Sequence, residues 1–547
     1  MRAPALAAIL LIFPISAVAQ TRDQNVKWCT GADSTADLRI GGCTALIQAG
    51  QETASDMAVI FADRGLGYFD KAEYLKAKDD FEQSLRLNAA GALAVGGRAR
   101  VMAIQQQLDA ALAEHTRAIG LATPEELAFQ YWLRGMTNFD AKNYAVALTD
   151  FGQSLSRRTG YSAAYFQRAR VYYAMGDYAK AIADNTESLR LDPSEYTAYY
   201  NRGLSYAKTN ELDKAIADYD ALLKTNPTYI DGWIERAHAY MRKPDYAKAL
   251  ADLNQALTLK PTNQEAVFTR ARVYYSLNNY DLSIVDNTTA IALDPADHVA
   301  YYNRGLAYRG KSDHAKALAD FDKSLSMKPD YASAMLYRAR TYQALKQYDK
   351  AIADYARVIA LTPKDGDAFY YRAQTYIAMD RIELALADSQ TAIALQPTDT
   401  TDLAQRADIY QRLHLFQLAD TDFAAALKID PKLTYTSALK ALNRTMLNQI
   451  AEAVVDCDAA LAALPAHHGV NETCGMVYLK AGDLTKAATA FDKAQVDASA
   501  TDMQPLFGTG LVKLKKGQLA AAKTDLDKAA AGDPKIAEFY ARFGLMR

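Results

Sequence analysis

The stretch from Asp177 to Asn210, DYAKAIADNTESLRLDPSEYTAYYNRGLSYAKTN, decides the fold of this chain. Its pattern predicts two short amphipathic helices separated by a break at Leu191-Asp192-Pro193. A fixed period of this size predicts an array of stacked helix pairs. The break recurs every 34 residues, at Pro193, Pro227, Pro261, Pro295, Pro329, Pro363, Pro397, Pro431 and Pro465.

Small residues recur in the same register. In the unit that ends at Pro329, Ala317 stands twelve residues before the proline, and Gly305 stands twelve residues before Ala317. Tyr308 follows three residues after the glycine. Small residues let the two helices of a unit approach closely, and the tyrosine fills the gap one turn later. Proline ends the second helix because it has no N–H group and clashes with the preceding turn.

These marks resemble the tetratricopeptide repeat, whose pattern is Trp-x2-Leu-Gly-x2-Tyr, then Ala-x3-Phe, then Pro. Trp233-Ile-Glu-Arg-Ala-His-Ala-Tyr240 and Ala317-Leu-Ala-Asp-Phe321 match it well. The resemblance covers about nine-tenths of the chain and implies an all-α fold. The expected architecture is an α-solenoid, a right-handed superhelix of about fourteen helix-turn-helix repeats with capping helices at its ends. Proteins of this kind are scaffolds, so the resemblance implies no enzyme activity and no cofactor.

The ends of the chain differ from the repeats. Residues 1–19 combine Arg2, an apolar core and the small-x-small site Ala17-Val18-Ala19, which predicts a cleaved signal peptide before Gln20. An uncleaved membrane anchor is the alternative, disfavoured because the segment is short and contains Pro14. We expect residues 20–54 to form a leading loop, over 21–35, and an isolated capping helix, over 36–49. The repeats would then span 55–534, and 535–547 would form a lone helix that caps the far end.

Export would place the four cysteines in an oxidising compartment, where an even number suggests disulfides. Four cysteines allow three pairings, and sequence separation favours the local one, Cys29 with Cys43 and Cys457 with Cys474. In the repeat register, Cys457 replaces an aromatic residue of the second helix and Cys474 replaces an arginine of the first. We expect both to face inward, where consecutive repeats meet.

A charge pair recurs within the repeats. An arginine precedes the Gly or Ala of the first helix, and an acid follows three residues after the small residue of the second helix. The twelfth repeat has Lys440 and Asp456 at these places, the thirteenth has neither charge, and the fourteenth keeps only Asp525. Simultaneous loss suggests that the pair touches within each repeat, so a structural ion pair is favoured over a row of ligand-binding charges. The arginines are Arg64, Arg98, Arg134, Arg168, Arg202, Arg236, Arg270, Arg304, Arg338, Arg372 and Arg406, and the acids are Asp80, Glu114, Asp150, Asp184, Asp218, Asp252, Asp286, Asp320, Asp354, Asp388 and Asp422.

Motifs of catalysis and of metal binding are missing from the sequence. It contains no phosphate-binding glycine loop, no Gly-x-Ser-x-Gly and no His-Glu-x-x-His. His467 and His468 lie between two cysteines, but no metal-ligand spacing supports a zinc site there. The chain has 62 Lys and Arg against 64 Asp and Glu, with no basic block, which argues against nucleic acid as a partner.

The predicted partner surface lies on the first helix of each repeat, one residue beyond the face that meets the second helix. Large aromatic residues beside arginine are typical of energetic hot spots at interfaces, and an extended row of them suits a peptide or partner helix in a concave groove. The alternative is that the same side chains only pack the array. The predicted site comprises Trp132, Phe166, Arg170, Tyr173, Tyr200, His238, Phe268, Arg272, Tyr275, Tyr302, Arg340 and Tyr370.

The sequence thus predicts a non-enzymatic scaffold that binds a protein or peptide. The units resemble those of exported tetratricopeptide proteins of Gram-negative bacteria, which implies a periplasmic or secreted location. One alternative is a periplasmic component of an exopolysaccharide or outer-membrane export apparatus. Another is an enzyme whose site carries no recognised motif.

Overall fold

The computed structural model describes residues 21–31, 34–496, 499 and 502–546. The predicted signal peptide and Gln20 lie outside these residues. Two compact units divide the chain between Val273 and Tyr274. All regular structure in the described residues is helical. No helix in that part of the chain is long and apolar enough to cross a membrane.

The first unit holds fourteen complete helices, and α15 (Gln264–Ser276) crosses the boundary. They are α1 (Arg22–Thr30), α2 (Ala36–Ala49), α3 (Ala54–Asp70), α4 (Tyr74–Leu87), α5 (Ala92–Ile104), α6 (Leu108–Leu121), α7 (Leu127–Asp140), α8 (Tyr144–Arg157), α9 (Ser162–Ala174), α10 (Tyr178–Leu191), α11 (Tyr196–Lys208), α12 (Leu212–Thr225), α13 (Ile230–Arg242) and α14 (Tyr246–Leu259).

The second unit continues the same alternation of short helices. Its complete helices are α16 (Tyr280–Leu293), α17 (His298–Gly310), α18 (His314–Met327), α19 (Ala332–Ala344), α20 (Tyr348–Leu361), α21 (Gly366–Ala378), α22 (Ile382–Leu395), α23 (Thr400–Arg412), α24 (Phe416–Ile429), α25 (Thr434–Met446), α26 (Ile450–Ala463), α27 (His468–Ala481), α28 (Leu484–Val496), α29 (Gln504–Lys515), α30 (Leu519–Gly532) and α31 (Ile536–Arg542).

Helices α3 to α30 follow one another as fourteen successive helix-turn-helix pairs, which confirms the predicted repeat architecture. Within each unit the first helix of a pair packs against its second helix, and first helices of neighbouring pairs contact one another. The core is therefore distributed along the array, with small residues such as Ala317 and large rings such as Phe321 completely buried.

The glycines of the first helices explain how closely the pairs pack. A Cβ atom at Gly305 would lie 2.8 Å from Cε1 of Phe321, and one at Gly135 would lie 2.8 Å from Cε1 of Phe151. In other repeats this position of the first helix is alanine, both opposite a small residue, as Ala373 is opposite Ser389, and opposite a ring, as Ala339 is opposite Tyr355. The position stays small whatever its partner, which lets the two helices pack closely.

The predicted charge pair is present within the repeats. Nε and Nη2 of Arg304 each donate to a carboxylate oxygen of Asp320, at 2.8 Å and 2.8 Å. The same two-bond geometry holds for the pairs that begin at Arg64, Arg134, Arg168, Arg202, Arg236, Arg338, Arg372 and Arg406. These arginines hold first and second helices together, as the structural interpretation predicts.

The pairing predicted for the twelfth repeat is wrong. Asp456 pairs with Arg444 and not with Lys440. Asp525 of the fourteenth repeat pairs with Lys513, at 2.6 Å. Arg444 lies four residues after Lys440, on the same helix face. In these two repeats a long cationic side chain one helical turn later, Arg444 or Lys513, therefore pairs with the acid in place of the regular arginine.

The amino-terminal segment also differs from the prediction. Residues 22–30 form helix α1, where a loop was expected, and α1 pairs with α2, so α2 is not an isolated helix. The side chain of Thr21 accepts a hydrogen bond from the N–H of Gln24 and caps α1. Cys29 is completely buried against α2, which shows how a mostly polar sequence is held in a helix by a few buried contacts. At the far end, α31 covers only 536–542 of the predicted cap.

Both predicted cysteine pairs form disulfide bonds. The Cα atoms of Cys29 and Cys43 lie 4.6 Å apart, and those of Cys457 and Cys474 lie 5.4 Å apart. All four side chains are completely buried. The second bond links α26 to α27, so it connects consecutive repeats as the repeat register predicts.

Candidate interaction surface

The first helices position the predicted partner residues. Since these helices lie side by side within each unit, residues at one register position form a continuous strip of surface there. Eleven of the twelve predicted residues are half-buried and Arg272 is exposed. Half-buried aromatic rings can serve both packing and binding, so burial alone leaves both roles open.

In the first unit, Trp132 and Tyr200 pack within the array. The Trp132 ring lies 5.4 Å from Phe129 and 5.8 Å from Tyr161, and its Nε1 donates to the carbonyl of Ala163 at 3.4 Å. Tyr200 lies between the rings of two neighbouring tyrosines, at 6.3 Å from Tyr219 and 5.2 Å from Tyr229. These two residues have their packing partners in the chain itself.

The polar residues predicted in the first unit also have partners. The guanidinium carbon of Arg170 lies 4.9 Å from the Phe139 ring, and Nη1 donates to Gln167 at 2.8 Å. His238 Nδ1 lies 3.5 Å from Glu235, and Nε2 lies 3.2 Å from the Thr269 hydroxyl. Tyr173 packs on Tyr178, while Phe166 and Phe268 are half-buried.

In the second unit, the structure brings two of the predicted residues, Tyr302 and Arg340, together around Tyr337. The Tyr302 ring lies 6.0 Å from that of Tyr337, and Arg340 lies between Tyr337 and Tyr371, at 5.0 Å and 4.2 Å from their centroids. Arg309 approaches the Tyr337 ring to 5.9 Å. We call these five residues the Tyr337 cluster.

Two predicted residues adjoin the cluster. Burial raises the pKa of Tyr275, and the charge that Tyr337 would carry raises it further, which places Tyr275 beside the cluster. The Tyr370 ring lies 5.1 Å from that of Tyr371, and the Tyr370 hydroxyl accepts from Gln374 at 2.7 Å. Aromatic rings therefore border the two arginines on several sides.

The two arginine charges of the cluster have no carboxylate counterpart in the described part of the chain. Among the described residues, neither Arg309 nor Arg340 forms an ion pair with a carboxylate. Burial lowers the pKa of Arg309, and the nearby charge of Arg340 lowers it further. Nε of Arg309 is buried and has no hydrogen-bond partner in that part of the chain. Two like charges held beside rings would be stabilised by an anionic group from outside.

Sequence reasoning missed Tyr337 and Tyr371. They stand one residue after the predicted row, directly before Arg338 and Arg372 of the structural ion pairs. The signal that could have found Tyr337 is its spacing of three residues from Arg340, which places the two side chains next to each other on a helix.

Family models confirm the resemblance on which the sequence analysis depends. Four consecutive matches to tetratricopeptide repeat models cover residues 166–230, 234–298, 298–331 and 332–365. Residues 166–365 are tetratricopeptide repeats. The matched models indicate no catalytic family. No curated protein matches the chain.

Three of the solved structures that are similar to this chain differ in how much of it they cover. A tetratricopeptide repeat protein from Parabacteroides merdae is 21% identical over 43% of this chain and 93% of its own, with a TM-score of 0.39. Cut9–Hcn1 of the APC/C is 16% identical over 88% of this chain and 98% of its own, with a TM-score of 0.41. YrrB, described as a tetratricopeptide repeat protein with an unusual peptide-binding site, is 23% identical over 34% of this chain and 95% of its own, with a TM-score of 0.31.

Proposed function

We propose that this protein is a non-enzymatic scaffold of the bacterial periplasm that binds an acidic peptide segment at the Tyr337 cluster. Tetratricopeptide repeats support the general role of protein–protein interaction. The observation that carries the specific site is the pair Arg309 and Arg340, which lie among tyrosine rings without a carboxylate partner in the described chain.

The chemistry of the cluster suits a peptide more than a small polar metabolite. Tyrosine and arginine supply large contact area together with hydrogen-bond donors, and they dominate the energy of many protein interfaces. Tyr302, Tyr337 and Tyr371 extend along three successive first helices, α17, α19 and α21. A bound segment could therefore place an apolar residue against the rings and a carboxylate against the arginines.

The periplasmic location is proposed from the signal sequence pattern and from the two cysteine pairs at disulfide distance. The first bond joins α1 to α2 ahead of the repeats, and the second joins the twelfth repeat to the thirteenth. Intact-mass analysis of the exported protein should show loss of residues 1–19. A full-length product in the cytoplasm would contradict the location.

The peptide site is tested with the double variant Arg309→Ala and Arg340→Ala. Partners are captured from a periplasmic extract with wild-type and variant protein and measured by quantitative mass spectrometry. The control variant is Lys323→Ala, an exposed residue on α18. We expect the double variant to lose a partner that Lys323→Ala retains, with both variants keeping the melting temperature of the wild type within a few degrees.

The aromatic row gives a second test that covers both units. The triple change Phe166→Ala, Phe268→Ala and Tyr302→Ala removes rings from α9, α15 and α17. If only the Tyr337 cluster binds, Tyr302→Ala alone weakens capture as much as the triple change. Capture that survives all of these substitutions at wild-type level would contradict the proposed site.

A further inference from the structure

Three side chains near the carboxyl end form a cluster that the repeat architecture does not require. His468 is the first residue of α27, Glu472 lies one turn later, and Asp502 lies two residues before the start of α29. Nε2 of His468 lies 2.7 Å from Oδ2 of Asp502 and 3.5 Å from Oε2 of Glu472. All three side chains are half-buried. The cluster lies apart from the Tyr337 cluster and has no role in the proposed peptide site.

The tautomer of His468 is fixed by its other nitrogen. Nδ1 lies 2.7 Å from the carbonyl oxygen of Ala494, and a carbonyl oxygen can only accept a hydrogen bond. Nδ1 therefore carries the proton of a neutral imidazole, and Nε2 presents its lone pair to two carboxylates. A cation or a second proton must lie between these atoms, because three lone pairs facing one another repel. A histidine that donates its second N–H to a backbone carbonyl is the usual arrangement of a metal ligand.

Among the described residues, neither Glu472 nor Asp502 forms an ion pair with a lysine or an arginine. Both carboxylates approach Nε2 of His468 instead. Three potential ligand atoms therefore converge on one point without a permanent cation among the described side chains.

We propose that Nε2 of His468 and the carboxylates of Glu472 and Asp502 bind one divalent transition-metal ion, with Zn²⁺ as the best match. Imidazole favours zinc over calcium and magnesium, and three protein ligands leave a fourth position for water or an external ligand. In a tetrahedral zinc site the ligand atoms lie about 3.3 Å apart. The distance of 3.5 Å between Nε2 of His468 and Oε2 of Glu472 already fits this value. The distance of 2.7 Å between Nε2 and Oδ2 of Asp502 fits after the Asp502 carboxylate moves away by about 0.6 Å.

A second group in the first unit serves as a comparison. Glu235, His238 and Glu265 also bring ligand atoms within reach of one another. There Nε2 of His238 lies 3.2 Å from the hydroxyl of Thr269, which can donate or accept, and neither ring nitrogen faces a carbonyl. The polar requirements of His238 can thus be met without a cation. We assign no metal to this group.

The test uses the purified full-length mature protein after dialysis against a chelator. Isothermal titration with Zn²⁺ should show one site, and Zn²⁺ should raise the melting temperature of the protein. Ca²⁺ at the same concentration should neither bind nor raise the melting temperature, because Ca²⁺ takes oxygen ligands and the proposed site includes an imidazole nitrogen. Binding of Ca²⁺ as tight as that of Zn²⁺ would show that the carboxylates act without His468. Protein that binds no Zn²⁺ would show that a second proton on His468 bridges the carboxylates, and this result overturns the proposal.

Variants locate the metal. Glu472→Gln and Asp502→Asn keep the shape of each side chain and remove its charge, so each should weaken Zn²⁺ binding more than about 10-fold. His468→Ala should abolish it. The matched control His238→Ala should leave the affinity and the melting shift unchanged. Wild-type affinity in the Glu472 and Asp502 variants, or loss of binding in His238→Ala, would place the metal elsewhere and overturn the assignment.

Discussion

The regular repeat α17/α18 and the departing repeat α27/α28 hold their helices together by different means. In the first, Arg304 clasps Asp320 through two hydrogen bonds, and Gly305 leaves room for Phe321. In the second, the arginine position is Cys474, which bonds to Cys457 of the preceding repeat. The ion pair of the regular repeat joins its own two helices, whereas the disulfide of the departing repeat joins it to the preceding repeat.

This difference teaches that a repeat tolerates the loss of its ion pair when the apolar contact between its two helices is kept. Gly475 still leaves room for Phe491, so the apolar contact is kept where the ion pair is lost. The inference is that close packing defines the fold and that the buried ion pair adds to its stability. The predictions below separate these contributions.

The largest effect is expected from Asp320→Ala. It leaves the charge of Arg304 half-buried without its partner, which should lower the free energy of unfolding by about 3–5 kcal/mol. Urea unfolding followed by circular dichroism measures the change. The matched control is Asp525→Ala, which removes a more exposed pair with Lys513 and should cost under about 1 kcal/mol. Equal losses of unfolding free energy in the two variants would contradict the structural role of the Arg304–Asp320 ion pair.

The disulfide between consecutive repeats should have the next largest effect. Replacing both Cys457 and Cys474 with serine removes the closure of an 18-residue loop, which is worth about 3 kcal/mol. The reduced wild-type protein provides the control, since it should lose most of the same stability without a substitution. Free thiols on all four cysteines of the exported protein, detected by alkylation without reductant, would refute the pairing.

The small residue beneath the ring should have a smaller effect. Gly305→Ala places a methyl group 2.8 Å from the Phe321 ring and should cost about 1–3 kcal/mol through overpacking. The same substitution at Gly160, where a Cβ would meet nothing within 4 Å, should leave the melting temperature nearly unchanged. If the two variants have the same melting temperature, close packing at Gly305 does not limit stability.

The repeat α5/α6 departs from the others through a buried histidine, and its effect depends on pH. Burial, together with Arg100 and Arg134, lowers the pKa of His115 from 6.5 to about 3. The unfolded chain therefore takes up the proton first, and the stability that His115 contributes above pH 6.5 is lost as the pH falls. Relative to His115→Phe, the wild type should lose about 1.4 kcal/mol between pH 7.5 and 5.5, measured by urea unfolding at each pH. An unchanged difference would contradict a neutral buried histidine.

The sequence predicted the repeats well because their marks are local and periodic. Prolines such as Pro329 and small residues such as Ala317 act within one helix pair, so their spacing alone predicts the fold. The pairing of Arg304 with Asp320 could be inferred because the two positions vary together along the chain.

Other features could not be predicted, because they depend on which long side chain reaches a given atom. Arg444 and Lys440 lie on one helix face, and only coordinates show that Arg444 takes Asp456. Tyr337 likewise joins the candidate site through contacts between different repeats. Helix α1 was missed because a buried cysteine and a threonine cap stabilise a segment with little apolar pattern.

Photo-crosslinking in the periplasm tests the central claim most directly. A photoreactive phenylalanine analogue is placed at Tyr302, inside the Tyr337 cluster, or at Lys323, on the exposed face of α18. The account predicts that irradiation yields a crosslinked partner from position 302 and none from position 323, and that Arg309→Ala with Arg340→Ala abolishes the product. A partner crosslinked from position 323 alone, or a product from position 302 that survives loss of both arginines, would contradict it.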